Sequence, residues 1–188
     1  MQPRSDPALL VIDVQQGIDD PRHGARNNPW AEKRIASLLD AWRREGWPVI
    51  HVQHMSTHPE SALRPDAPGN ALKPEALPAE GEALFQKTVS SAFIGTSLES
   101  HLRTHGIERL VIVGLTTDQC VSTTARMAEN LGFDVSVVED ATATFERIGP
   151  DGLHYSADQM HRVALASLHE EFARVLSSAE VLAQLPAR

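Results

Sequence analysis

Two kinds of apolar pattern alternate along this chain: short runs that are apolar throughout, and longer stretches apolar at every third or fourth position. Ala8–Val14 (ALLVIDV) is of the first kind and predicts a strand covered on both faces, as parallel strands are. Its one charge, Asp13, falls near the carboxyl end. Ile35, Leu38, Leu39 and Trp42 form the stripe of a helix that opens at Asn28-Pro29 and stops at Gly46. Pro48–His54 returns as a strand. A third strand spans Ala83–Gln86 and ends at Lys87. Thr96 and Glu99 read as a capping box for a helix that turns Leu98 and Leu102 inward and stops at Gly106. The run Leu110–Val113 is the next strand. A sharp turn after it leads to a helix with Val121, Ala125, Ala128 and Leu131 on one face, ended by Gly132. Phe133–Glu139 is a fifth strand. Ser156 with Gln159 caps a helix whose predicted buried stripe is Met160, Val163, Ala164 and Leu168. Phe172–Leu176 is a sixth strand, and Ser177 with Glu180 caps a short terminal helix. Three helices end in Gly and feed a strand, the punctuation of repeated βα units around a parallel sheet.

Between the second and third strands, Met55–Gly81 carries Pro59, Pro65, Pro68, Pro74 and Pro78 and has no regular period. It predicts an excursion over the strand ends, where site walls are often built. The length of 188 residues suits one domain spanning 1–188. A hydrophobic share of 41% and a charged share of 22% give no sign of disorder. The net charge of −8 argues against nucleic acid and against anionic membrane surfaces as partners. A single cysteine allows no internal disulfide and fits a reducing compartment. With no stretch of membrane-spanning length and no secretory leader in MQPRSDPALLVIDV, the expected setting is the cytoplasm.

The candidate chemistry gathers at one sheet edge. Ligands of open parallel sheets sit beyond the carboxyl ends of the strands, and Asp13, Lys87 and Cys120 all fall at or just past such ends. Cys120 opens a helix behind Asp118 or Thr117 as N-cap, so the helix dipole and its unpaired N–H groups should favour thiolate. Those N–H groups also suit an oxyanion. Singly, each residue has an ordinary alternative: a small buried hydrophobe, a structural carboxylate, a solvated lysine. Their convergence favours a site.

The segments VIDVQQG, HVQHMS, FQKTVSSAFIGTSLESHL and GIERLVIVGLTTDQCVSTTARMAENLGFDVSVVEDATATF together resemble the isochorismatase-like cysteine hydrolases, in order and over most of the chain. The resemblance implies a Rossmann-like three-layer α/β sandwich with a mostly parallel six-stranded sheet. It implies Asp13, Lys87 and Cys120 as a catalytic triad, a cis peptide before Thr116, backbone N–H groups of Thr116 and Cys120 as an oxyanion hole, and a homo-oligomer. Family members include nicotinamidases, N-carbamoylsarcosine amidases, streptothricin hydrolases, biuret and ureido-compound hydrolases, and isochorismatases. Two departures narrow this. The Asp-x-His metal pair of nicotinamidases is missing from HVQHMSTHPES, and His51 and His54, three apart on a strand, face opposite sides. We therefore expect no metal and no cofactor, with His51, His54 and His58 as ordinary histidines near a wall. Where the family often has an aromatic residue after the first strand, this chain has Ile18. With Phe93 and Thr116 as the other candidate walls, the pocket should be small and partly apolar. The expected reaction is hydrolysis of a small amide or ureide through a thioester on Cys120, with a small-molecule substrate. Vinyl-ether hydrolysis of isochorismate, or a non-catalytic or redox-sensing role, are the alternatives.

Overall fold

The computed structural model describes residues 6–186. Six strands, β1 (Ala8–Ile12), β2 (Val49–His54), β3 (Ala83–Lys87), β4 (Arg109–Leu115), β5 (Asp134–Ala143) and β8 (Arg174–Leu176), form one sheet. Between the last two runs the chain makes a two-stranded hairpin, β6 (Arg147–Ile148) with β7 (His154–Tyr155). The order across the main sheet is β3-β2-β1-β4-β5-β8, and every neighbouring pair is parallel. The chain thus builds outward from β1 in one direction, returns, and builds outward from β4 in the other. The crevice where the order reverses opens at the carboxyl ends of β1 and β4.

Alternation along the strands splits the core into two layers. Leu9 and Val11 of β1, with Val111 and Val113 of β4, face helix α1 (Ala31–Glu45) and helix α5 (Ser178–Ala183), where Ile35, Leu38, Leu39, Trp42 and Val181 cover them. Leu10, Ile12 and Ile112 face the other way, against α2 (Leu98–Thr104), α3 (Ser122–Asn130) and α4 (Ala157–Leu168). Each fully buried aliphatic side chain in these layers contributes roughly 1.5–3 kcal/mol. β1 and β4 are covered on both faces, as their unbroken apolar runs imply.

Several local expectations fail, each for a tertiary reason. Asn28 is not the cap of α1, whose preceding residue is Trp30 and which has no side-chain cap. Asn28 instead adopts φ 43° and donates from Nδ2 to the carbonyls of Glu139 and Thr142 at 2.9 and 2.7 Å, tying the loop to β5. Asn tolerates the left-handed region better than most residues. Thr96 forms no capping box: Ser97 precedes α2, and Thr96 Oγ1 donates to Ala92 O at 2.6 Å. Val163 is 68% exposed, because the buried face of α4 runs through Ala157, His161, Ala164, Leu165 and Leu168. The i, i+3, i+4, i+7 spacing from His161 leaves position 163 on the far side. The capping boxes at Ser156 with Gln159 and Ser177 with Glu180 are present.

The excursion between β2 and β3 is fastened to the sheet edge by backbone approach and by buried charge. A Cβ on Gly69 would lie 2.8 Å from Gly17 Cα, so only glycine fits where the loop crosses the segment after β1. Lys73 reaches Asp19 and Glu32 at 2.6 Å each, and Arg26 holds Glu32 with two bonds of 2.8 and 2.7 Å. Burial pushes the Glu32 carboxyl up, but its two cationic partners more than offset this and hold it at about 2.

Candidate active site

β1 delivers Asp13 to the crevice. The residue lies just past the strand with φ 50° and is 1% exposed. A left-handed non-glycine residue at this depth marks a position held by its surroundings. β3 ends in Lys87, also 1% exposed, paired in parallel register with His54 of β2. Lys87 Nζ donates to Asp13 Oδ2 at 2.6 Å, to His54 Nδ1 at 3.1 Å and to Cys120 Sγ at 3.4 Å. An ammonium has three donors, and all three are directed at these partners.

β4 brings the fourth group. A Cβ on Gly114 would meet Ile12 O at 2.0 Å, so the backbones of β4 and β1 touch here as no side chain would allow. The Leu115–Thr116 peptide is cis. Thr116 O then accepts from both Gln119 N and Val121 N, each at 3.2 Å, and Thr117–Val121 makes a single π-helical turn before α3. Such turns insert one residue into the helical ladder and recur at functional sites. Here the turn carries Cys120 on the cavity side, while Val121 is fully buried in the core. Neither Thr117 nor Asp118 is an N-cap. Thr117 Oγ1 meets His161 Nδ1 of α4 at 2.9 Å, and the Asp118 carboxylate takes the Thr144 hydroxyl and pairs with Arg147 at 3.4 Å.

Electrostatics reverses one expectation. The Cys120 thiol is pushed up to about 12, first by burial and then by the Asp13 charge; Lys87 opposes this but does not prevail. A helix dipole is worth roughly 0.3–1 kcal/mol, whereas the rise from 9.0 to about 12 corresponds to about 4 kcal/mol. Desolvation wins, and the resting group is a neutral thiol rather than a thiolate. Burial likewise raises Asp13 above the usual carboxylate range, against the pull of Lys87. That makes it a stronger base than an exposed aspartate.

Asp13, His54 and Cys120 line a cavity of about 510 Å³. Ile18 and Thr116 are on its wall, as the sequence suggested, and the Thr116 hydroxyl is buried without a partner among the described residues. Phe93 is not on the wall. It lies in the core layer, its ring 5.9 Å from Phe133, and Ser90 faces the cavity from that loop instead. His51 turns away and binds Glu82 at 2.8 Å, whereas His54 and His58 line the cavity. The partnership of His54 with Lys87 was not anticipated from sequence; the one signal was the parallel register that sets a β2 residue beside the end of β3.

Among the described residues, Asp13, His54 and Cys120 offer ligand atoms within 4.8 Å of one another, the geometry of a cation site. The cation they surround is the Lys87 ammonium, within hydrogen-bonding reach of all three. A divalent ion would have to displace it, so the donor set does not fit a metal.

The isochorismatase-domain profile matches residues 7–180. The chain belongs to the isochorismatase family. It is 45% identical over 175 residues to the family protein YrdC of Bacillus subtilis, covering 93% of this chain and 94% of that one. The crystal structure of an isochorismatase-family protein from Chromobacterium violaceum superposes with a TM-score of 0.92 at 48% identity, over 95% of this chain and 92% of the other. The ureidoacrylate amidohydrolase RutB of Agrobacterium fabrum is 29% identical over 182 residues, 78% of each chain. This isochorismatase-family hydrolase therefore has an amidohydrolase among its relatives, and at its topological switch point a buried Asp13–Lys87 pair beside a partly buried Cys120.

Proposed function

We propose that the protein hydrolyses a small amide or ureide through a thioester on Cys120. The observation that carries this reading is the single Lys87 ammonium bonded at once to Asp13 and Cys120 on the cavity wall. A carboxylate of raised basicity beside a neutral thiol is a general base with its nucleophile. As Sγ attacks the carbonyl carbon, its proton passes to Asp13, and the thiolate never has to exist in the empty site. The backbone N–H groups of Thr116 and Cys120 take the oxyanion. Asp13 then hands the proton to the departing ammonia or amine, and the C–N bond breaks to leave the thioester. A water, deprotonated by Asp13, attacks that thioester and releases the acid while the thiol recovers its proton. Lys87 keeps the carboxylate in place and compensates its charge throughout. The volume of about 510 Å³ suits a compact substrate rather than a polymer. The family resemblance further supports a homo-oligomer acting on a small molecule, and the single cysteine supports a reducing compartment such as the cytoplasm.

The test is ammonia release across a panel of small amides and ureides, with isochorismate alongside, for wild type and Cys120→Ala. An acyl adduct on Cys120 seen by mass spectrometry and loss of release in Cys120→Ala are expected. Isochorismate turnover by both proteins, with no ammonia from the panel, would replace this reading with vinyl-ether hydrolysis.

A further inference from the structure

The triad accounts for Asp13, Lys87 and Cys120, but the cluster has a fourth member. His54 stands at the end of β2 with its backbone held on both sides: its N–H donates to Gln15 Oε1 at 2.8 Å, and its carbonyl accepts from Gln15 Nε2 and Asn70 Nδ2 at 3.0 Å each. Gln15 is fully buried and Asn70 nearly so, so this scaffold fixes the backbone that carries the ring, and the bond from Lys87 orients the ring itself. The Lys87 ammonium can only donate, so His54 Nδ1, 3.1 Å from it, must be the acceptor. A neutral imidazole that accepts at Nδ1 carries its proton on Nε2. The ring is on the cavity wall, and Nε2 has no hydrogen-bond partner among the described residues.

We infer that His54 is a substrate-contacting residue, its Nε2–H donating to an oxygen carried one or two bonds from the carbon that Cys120 attacks. Within the amide and ureide reading, on which this rests, it selects substrates with a second acceptor next to the scissile carbonyl, such as an adjacent carbonyl, ureido or hydroxyl group. A ring nitrogen of His54, an oxygen of Asp13 and Cys120 Sγ lie within 4.8 Å of one another, so the imidazole stands beside the attacking sulfur. Burial and the neighbouring Lys87 also lower the imidazole to about 4, so the group stays a neutral donor across the physiological range. A cation there would repel Lys87; a neutral donor does not.

Two measurements test this without a known substrate. In ¹⁵N-histidine spectra of the resting protein, His54 should appear as the Nε2–H tautomer and not titrate above about pH 5. A Nδ1–H tautomer, or titration near the ordinary value, overturns the assignment. The second compares alkylation of Cys120 by iodoacetamide, which places a carbonyl beside the attacked carbon, with alkylation by iodoethane, which has none. His54→Asn keeps an acceptor oxygen for Lys87 but loses the donor, and should lower the iodoacetamide-to-iodoethane rate ratio about three- to tenfold, the worth of one neutral hydrogen bond. His54→Gln, which restores an N–H at the Nε2 position, should recover most of it. An equal ratio in all three proteins overturns the proposal. If the ratio behaves as expected while wild type releases no ammonia from any amide or ureide, the hydrolytic reading has failed and the donor role of His54 stands.

Discussion

Asp13→Asn should make Cys120 more reactive to alkylation while sharply slowing turnover, a combination that follows from the order of the forces on the thiol. With the group pushed up to about 12, only about one molecule in 10⁴ carries a thiolate at pH 8, four units below. Burial is the largest cause and survives an isosteric substitution. The next is the Asp13 charge, which Asn removes while still accepting from Lys87. A charge within about 4–6 Å typically moves a pKa by about 1–3 units, so the thiolate population and the iodoacetamide rate at pH 8 should rise about 10- to 10³-fold. Hydrolysis, which needs the base, should fall about 10²- to 10⁴-fold. Lys87→Met acts in the opposite sense on the thiol, removing the one group that lowers it, and should slow alkylation. The assay is the second-order rate of carbamidomethylation, followed by intact mass between pH 7 and 10; wild type should climb nearly tenfold per pH unit without a plateau. Slower alkylation in Asp13→Asn, or a wild-type plateau below pH 9, would mean that the resting cysteine is already a thiolate and that the order of forces is wrong.

Acid stability should depend on Glu32. Its folded-state value of about 2 lies below the ordinary 4.5, so its contribution is complete above pH 4.5 and is lost as pH falls toward 2. Glu32→Gln should flatten that limb of the stability curve by on the order of 2–3 kcal/mol in denaturant titrations, and an unchanged acid limb would refute the ion-pair account. Gly114→Ala should yield little folded protein, since its Cβ would overlap Ile12 O at 2.0 Å; a stable, active variant would show that β1 and β4 can separate. Because the Lys87 ammonium occupies the centre of the Asp13–His54–Cys120 grouping, activity should survive exhaustive chelation, and a stoichiometric metal lost together with turnover would contradict this.

How much of this was legible without coordinates differs between the fold and the site. Uninterrupted apolar runs such as ALLVIDV and 3.6-residue stripes such as Ile35–Leu38–Leu39–Trp42 are local signals of burial, because a sheet covered on both faces leaves no polar position along its strands. They determined the elements and, through glycine stops and repeated βα punctuation, the parallel sheet. Asp13, Lys87 and Cys120 were legible as polar residues at the ends of such runs. What depended on distant partners was not. Asn28 looks like a cap until Glu139 and Thr142 offer better acceptors, and Phe93 looks like a pocket wall until Phe133 is set beside it in the core. The charge state of Cys120 is illegible in the sequence for the same reason: a helix N-terminus can be read from neighbouring residues, but desolvation is set by everything packed around the sulfur. His54 and Lys87 are 33 residues apart and meet only because β2 and β3 pair in parallel register. Sequence determined which residues are strands, helices and candidate chemistry; the tertiary structure alone decided which of them share a dielectric environment and a hydrogen bond, because both are properties of three-dimensional neighbours rather than of position along the chain.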